Sequence, residues 1–154
     1  DGQRISGIHK LPSCIQAADY DYYCLSENPE GHTYHNIGNK RGSDYRPDGA
    51  VELLKVDDEY VVTQAEDGEW MNYTVKVPET RAYTVFVTYK AKSAPVFSVA
   101  SDQGRGTKTV ILPVSEQWKE QKIGELTLTA GACVLRLSIQ KSGKDLCISK
   151  ICVR

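Results

Sequence analysis

From about residue 50 onward, apolar and polar residues alternate with a period of two, and turn-forming residues interrupt the pattern at short intervals. Met71, Tyr73, Val75 and Val77 alternate with Trp70, Asn72, Thr74 and Lys76, and then Tyr83, Val85, Val87 and Tyr89 alternate with Thr84, Phe86, Thr88 and Lys90. Each stretch reads as a strand with one apolar and one polar side, because successive side chains leave a strand on opposite faces. The intervening Pro78-Glu79-Thr80-Arg81 predicts a turn, and the two strands together predict a hairpin. Further strands are expected over residues 51–56, 60–64, 96–100, 108–112, 125–129, 133–139 and 146–153, with Gly131 marking a turn. Residues 20–49 are rich in Asp, Asn, Gly, Pro and Tyr and keep no period, which predicts a long irregular segment of the kind that serves function. No helical period persists beyond about two turns. Many short strands at this spacing predict an all-β fold, a two-sheet antiparallel β-sandwich of the jelly-roll type.

The length of 154 residues suits a single core, read here as one sandwich over residues 13–154 preceded by an extension or linker over residues 1–12. With 19 Lys and Arg against 20 Asp and Glu, the formal charge of -1 gives no general attraction to nucleic acid or to an anionic membrane. No window approaches the roughly 18 apolar residues of a membrane span, and no basic-then-apolar secretory leader is present. The start at Asp1 suggests a processed protein or a segment of a longer one. Cys14, Cys24, Cys133, Cys147 and Cys152 contain no C-x-x-C pair, so their spacing does not support zinc or redox chemistry. An odd count leaves at least one thiol unpaired, and the preferred reading is free cysteines filling core positions on strands. A bridge from Cys133, Cys147 or Cys152 to Cys14 or Cys24 is conceivable, and the sequence does not choose among the pairings.

Catalytic chemistry finds little support. Asp57, Asp58, Glu66, Asp67 and Glu69 could in principle pair as glycosidase carboxylates, yet acidic residues beside turns are ordinarily solvated. There is no nucleophile elbow, no phosphate-binding glycine loop and no H-E-x-x-H. Asn72-Tyr73-Thr74 fits the N-glycosylation pattern but lies inside an expected strand.

The stretch Gly68-Glu69-Trp70-Met71-Asn72-Tyr73-Thr74-Val75-Lys76-Val77-Pro78 closely resembles the G-E-W-L-N-Y-T-V-x-V-P core of family 6 carbohydrate-binding modules. Ile15-Gln16-Ala17-Ala18-Asp19-Tyr20-Asp21 resembles that family's I-E-A-E-D-Y-D, and Tyr34-His35-Asn36 its Y-H-D. Tyr45-Arg46 and Asp48-Gly49 follow in order, and Leu128-Thr129-Ala130-Gly131 with Leu135-Arg136-Leu137 resembles the closing L-T-A-G-x-H-T-L-R-L. The resemblance implies a non-catalytic, extracellular or cell-surface module that binds polysaccharide or oligosaccharide. It further implies a catalytic domain in the same parent chain as a partner.

Two departures bear on the site. Family members commonly hold calcium through two Glu of the opening motif and a late Asp, and those positions here read Gln16, Ala18 and Ser149. A hard dication wants several carboxylates among its six to eight oxygens, so no cofactor is expected, with only a weak site conceivable from Asp19, Asp21 and backbone carbonyls. The family's loop-end sugar site uses a Tyr, a Trp and an Asn. Tyr34 matches the Tyr, the segment around Lys92 contains no aromatic, and the Asn position reads Cys147.

The carbohydrate-binding candidates are therefore Tyr34, His35, Tyr45 and Lys92 at the loop end, and Glu69, Trp70, Asn72 and Trp118 elsewhere. Tyr34 and His35 could equally be a packed ring and an ordinary surface histidine. Trp70, Asn72, Thr74, Phe86, Thr88, Arg136 and Ser138 could share one sheet face, although Trp70 also suits a packing role under a loop. Glu69 is expected at the rim, and Trp118 as a core plug ahead of a strand or as a ligand platform. The rival to glycan binding is a structural or docking domain that keeps the sandwich and packs against a neighbouring catalytic domain.

Overall fold

The computed structural model describes residues 8–21, 53–63, 67–104, 106–142 and 145–154. They form two β-sheets packed face to face. The front sheet runs β1 (His9–Lys10), β5 (Trp70–Val77), β10 (Gly131–Lys141), β7 (Val96–Ser101), β8 (Thr107–Ile111). The back sheet runs β3 (Leu53–Val56), β4 (Glu59–Thr63), β11 (Cys147–Val153), β6 (Arg81–Ala91), β9 (Ser115–Leu128), with β2 (Ser13–Gln16) also paired to β11. Pairing is antiparallel except between β1 and β5, which run parallel. A short 3-10 helix, Ala17–Asp19, follows β2. Among the described residues no helix is long and apolar enough to cross a membrane.

The alternation read from the sequence places the core. Met71, Tyr73, Val75 and Val77 of β5 and Cys133, Leu135, Leu137 and Ile139 of β10 face Tyr83, Val85, Val87 and Tyr89 of β6 and Leu126 and Leu128 of β9. The buried tyrosines keep their hydroxyls satisfied. Tyr73 donates to the Ala17 carbonyl at 2.7 Å, Tyr83 to that of Glu79 at 2.7 Å and Tyr89 to that of Pro113 at 2.5 Å. Each bond ties a connection to the core, and each contributes on the order of 1 kcal/mol while sparing a buried polar group. Irregularities in register shift the parity locally: β11 is irregular between Ile148 and Lys150, so Ile148 and Ile151 both point inward, and β9 is irregular where it pairs with Val85 and Phe86.

Several expectations are corrected. The strands flanking Pro78 do not form a hairpin, because β5 pairs with β10 and β1 in the front sheet while β6 pairs with β11 and β9 in the back one. Residues 78–80 arch from sheet to sheet, as do residues 129–130 between β9 and β10. The two arches are tied by Ala130 N–H donating to Thr80 Oγ1 at 3.0 Å. Alternation cannot separate the two cases, since a strand facing its successor across the core has the same period as one bonded beside it. The β9 strand begins at Ser115, ten residues before the expected start at 125, because its first half is polar on both faces and shows no period. Residues 9–12, assigned from the sequence to a preceding extension, include β1 and the buried Leu11. Cys14 and Cys152 lie opposite each other on β2 and β11 and form a disulfide, while Cys133 and Cys147 are free.

Candidate functional site

The outer side of the front sheet carries a groove. In register across β5 and β10 lie Trp70 beside Ser138, Asn72 beside Arg136 and Thr74 beside Val134. Across β10 and β7, Ser138 faces Ser98 and Arg136 faces Ala100. Asn72, Ala100, Ser101, Asp102, Val134 and Arg136 line a cavity of about 410 Å³. Its polar groups are held in place. The Arg136 guanidinium lies 3.7 Å over the Trp70 ring, and its Nε donates to Asn72 Oδ1 at 3.0 Å. Asp102 pins the groove's end wall to β10, donating its N–H to the Val134 carbonyl at 3.0 Å and accepting the Val134 N–H on Oδ1 at 3.0 Å. Beside them, Gln140 Nε2 donates to Ser98 Oγ at 2.9 Å.

Trp70 is only 8% exposed, with the guanidinium against its ring, so it supports the groove floor instead of offering an open stacking face. Asn72 is buried with its side-chain oxygen engaged, which withdraws the formal glycosylation site in the folded chain. Thr74 donates to the Asp21 carboxylate, and the Asp21 N–H donates to the Asn72 carbonyl at 2.8 Å, fastening residue 21 along the same strand. Glu69 is fully buried and not at a rim. Phe86 and Thr88 are removed from this face altogether, since they belong to β6 in the back sheet.

A second, smaller cavity of about 240 Å³ lies at the loop end, lined by Lys90, Ala91, Lys92, Ser115, Glu116, Asp145 and Cys147. Lys92 Nζ is 3.3 Å from Asp145 Oδ2 with both side chains more than half exposed, a pair of small energetic weight. Cys147 Sγ is 3.5 Å from Thr63 Oγ1. Trp118 is neither a core plug nor outside a strand: it stands on β9 with 38% of its surface exposed, and Lys90 Nζ lies 4.7 Å over its ring. Tyr34, His35 and Tyr45 lie outside the described residues.

Of the carboxylates weighed for catalysis, Glu66 lies outside the described residues, and the others do not gather into one site. Asp57 and Asp58 form the positive-φ turn between β3 and β4, and Asp67 accepts the Ser142 N–H at 2.8 Å and its hydroxyl at 3.2 Å. Among the described residues no three His, Cys, Asp or Glu side chains converge as a metal site. Gln16 ends β2 in solvent, Ala18 is a buried methyl, and Ser149 sits in the β11 bulge. An amide, a methyl and a hydroxyl do not fit calcium, so no metal-dependent step is derived.

The sequence reading missed Ala100, Ser101 and Asp102 in the groove, and Lys90, Ser115, Glu116 and Asp145 at the loop end. The parity of residues 96–100 puts Ser98 and Ala100 on the polar side, but only the pairing of β7 with β10 sets them beside Arg136.

No protein-family model matches the chain. No curated protein matches it in sequence. Solved structures do match in shape. The C-terminal CBM6 of LamC, a marine laminarinase from Zobellia galactanivorans, aligns with a TM-score of 0.64 at 16% identity, over 92% of this chain and 97% of that one. The carbohydrate-binding module CBM6cm-2 of Cellvibrio mixtus lichenase 5A, in complex with cellotriose, aligns with a TM-score of 0.63 at 14% identity, over 93% and 96%. A family 43 arabinoxylan arabinofuranohydrolase from Bacillus subtilis, in complex with cellotetraose, aligns with a TM-score of 0.63 at 11% identity, over 96% of this chain but 28% of that one. The chain has the fold of family 6 carbohydrate-binding modules.

Proposed function

We propose that this chain is a non-catalytic carbohydrate-binding module that receives a polysaccharide or oligosaccharide in the front-sheet groove. Its attached polysaccharide-degrading enzyme would thereby be held on its substrate. The observation that carries this reading is the fixed pair of Arg136 and Asn72 lining the groove, with the Trp70 ring against the guanidinium. Sugar hydroxyls need donors and acceptors that are already oriented, and the apolar faces of a pyranose need small apolar neighbours, here Ala100 and Val134. The cellotriose complex of one structural neighbour supports an oligosaccharide as the ligand class. The place of this fold within the much longer Bacillus subtilis chain supports a tethered role. The Cys14–Cys152 disulfide supports an oxidising, extracellular or cell-surface setting.

The docking-domain reading is favoured by one feature, the exposed Ile111 (71%) and Val114 (52%) at the β8–β9 connection, an apolar surface that a neighbouring domain could cover. Affinity electrophoresis against a panel of plant, algal and host polysaccharides separates the two. The glycan reading expects retardation by at least one polysaccharide, reduced by Ala100→Phe, which fills the groove, with thermal melting verifying the fold. Unretarded migration on every polysaccharide would leave the docking reading in its place.

A further inference from the structure

The charged groups of the front groove are unequally engaged. Across the sheet, Asp102, Val134, Thr74 and Asp21 form one row. Asp102 continues the β7 ladder one residue past Ser101 and bonds to Val134, Val134 is in register with Thr74, and the Thr74 hydroxyl donates to Asp21. The row therefore carries a carboxyl group at each end, and of the two Asp21 is buried while Asp102 is exposed to an incoming ligand. The cation among the residues lining the cavity is Arg136, whose Nε is engaged by Asn72 and whose plane is stacked on Trp70.

The Asp102 carboxylate is fixed in position. Its backbone N–H donates to the Val134 carbonyl and its Oδ1 accepts the Val134 N–H, both at 3.0 Å. Beside it, the Gln103 side chain donates to the Thr129 carbonyl at 3.2 Å and accepts the Thr129 N–H at 3.0 Å, tying the turn to the connection between β9 and β10. The turn closes where the Gly104 N–H donates to the Ser101 carbonyl at 3.3 Å, at a φ of +71° that favours glycine. Among the described residues no cation pairs with Asp102. One N–H on Oδ1 leaves the remaining acceptor positions of the carboxylate for a ligand. An ionised carboxylate accepts and does not donate, so it suits sugar hydroxyls, which reach it in charge-assisted bonds. A sugar carboxylate or sulfate in the same place would meet a like charge, with Arg136 already committed elsewhere.

We propose that Asp102 is the specificity-determining residue of the front groove: it selects neutral glycans by accepting their hydroxyls and excludes glycans that carry a carboxylate or sulfate there. This rests on the glycan-binding reading of the same groove and names the class of glycan that the groove takes.

Affinity electrophoresis of the wild type and Asp102→Asn tests it, with laminarin, mixed-linkage β-glucan and glucomannan as neutral probes and polygalacturonate and carrageenan as acidic ones. The Asn side chain keeps an oxygen for the Val134 N–H and removes only the charge, and thermal melting verifies that the fold is kept. The wild type is retarded by at least one neutral polysaccharide and by neither acidic one. Asp102→Asn binds the neutral polysaccharide several-fold less tightly, and its preference for neutral over acidic polymers narrows accordingly. Neutral binding that Asp102→Asn leaves unchanged would overturn the assignment. Wild-type retardation by an acidic polymer as strong as that by any neutral one would overturn it too, and would leave the glycan-binding reading intact. Unretarded migration of the wild type on every polysaccharide would remove both.

Discussion

The two tryptophans of this chain are both stacked by a cation, yet they do opposite things. Trp70, on the front sheet, is 8% exposed under the Arg136 guanidinium, which is itself fixed by Asn72. Trp118, on the back sheet, keeps 38% of its surface in solvent under a lysine that no described carboxylate holds. A planar guanidinium can stack and hydrogen-bond at once, so the first assembly is a rigid floor. An ammonium on a flexible stem over an exposed ring remains free to exchange that ring for a ligand. The same pair of residue classes thus builds structure in one place and an available surface in the other.

The comparison breaks most sharply in stability. Trp70→Ala should cost about 3–5 kcal/mol, since it empties a buried site and strips the guanidinium of its platform, whereas Trp118→Ala should stay within about 0.5 kcal/mol. Urea denaturation of the two variants measures the difference, and equal losses would show that Trp118 is structural after all. A smaller effect is expected from the Cys14–Cys152 bridge, which staples β2 to β11 in the back sheet. Reduction should lower stability by about 2–4 kcal/mol through the long loop it opens, and a melt with and without reductant reads it.

The smallest effect is a pH slope from the front sheet. Burial, with a lesser contribution from Asp102, raises the Cys133 thiol from its ordinary 9.0 to about 11. The unfolded chain therefore releases this proton before the folded one does. The resulting stability is fully present below pH 9 and is lost as pH rises from there through about 11. Burial of Tyr89 raises its hydroxyl and acts in the same direction. Cys133→Ala should shallow the alkaline decline in chemical denaturation between these pH values, and an unchanged slope would show that Cys133 is not its source.

Of the site, the sequence made Trp70, Asn72 and Arg136 visible as one polar strip, because their parity on β5 and β10 is local information. It did not make Ala100 or Asp102 visible, because they join that strip only through the register of β7 on β10. Trp118 was misplaced for a related reason. Residues 115–122 are polar on both sides, as suits an edge strand whose first half covers no core, so no period announced a strand there. Glu69, taken for a rim residue, shares its parity with Met71 and Tyr73 and is buried with them.

The all-β class, the inward residues of β5, β6 and β10 and a break between strands at Pro78 were determined by the chain itself, since a period of two states which side of a strand avoids water. Which strands lie side by side was decided only by tertiary structure. Period-two burial is the same whether the neighbour is hydrogen-bonded beside the strand or packed across the core. For that reason the tertiary structure alone separated Phe86 from Trp70, set Cys14 opposite Cys152 across a sequence separation of 138, and left one tryptophan in solvent while burying the other.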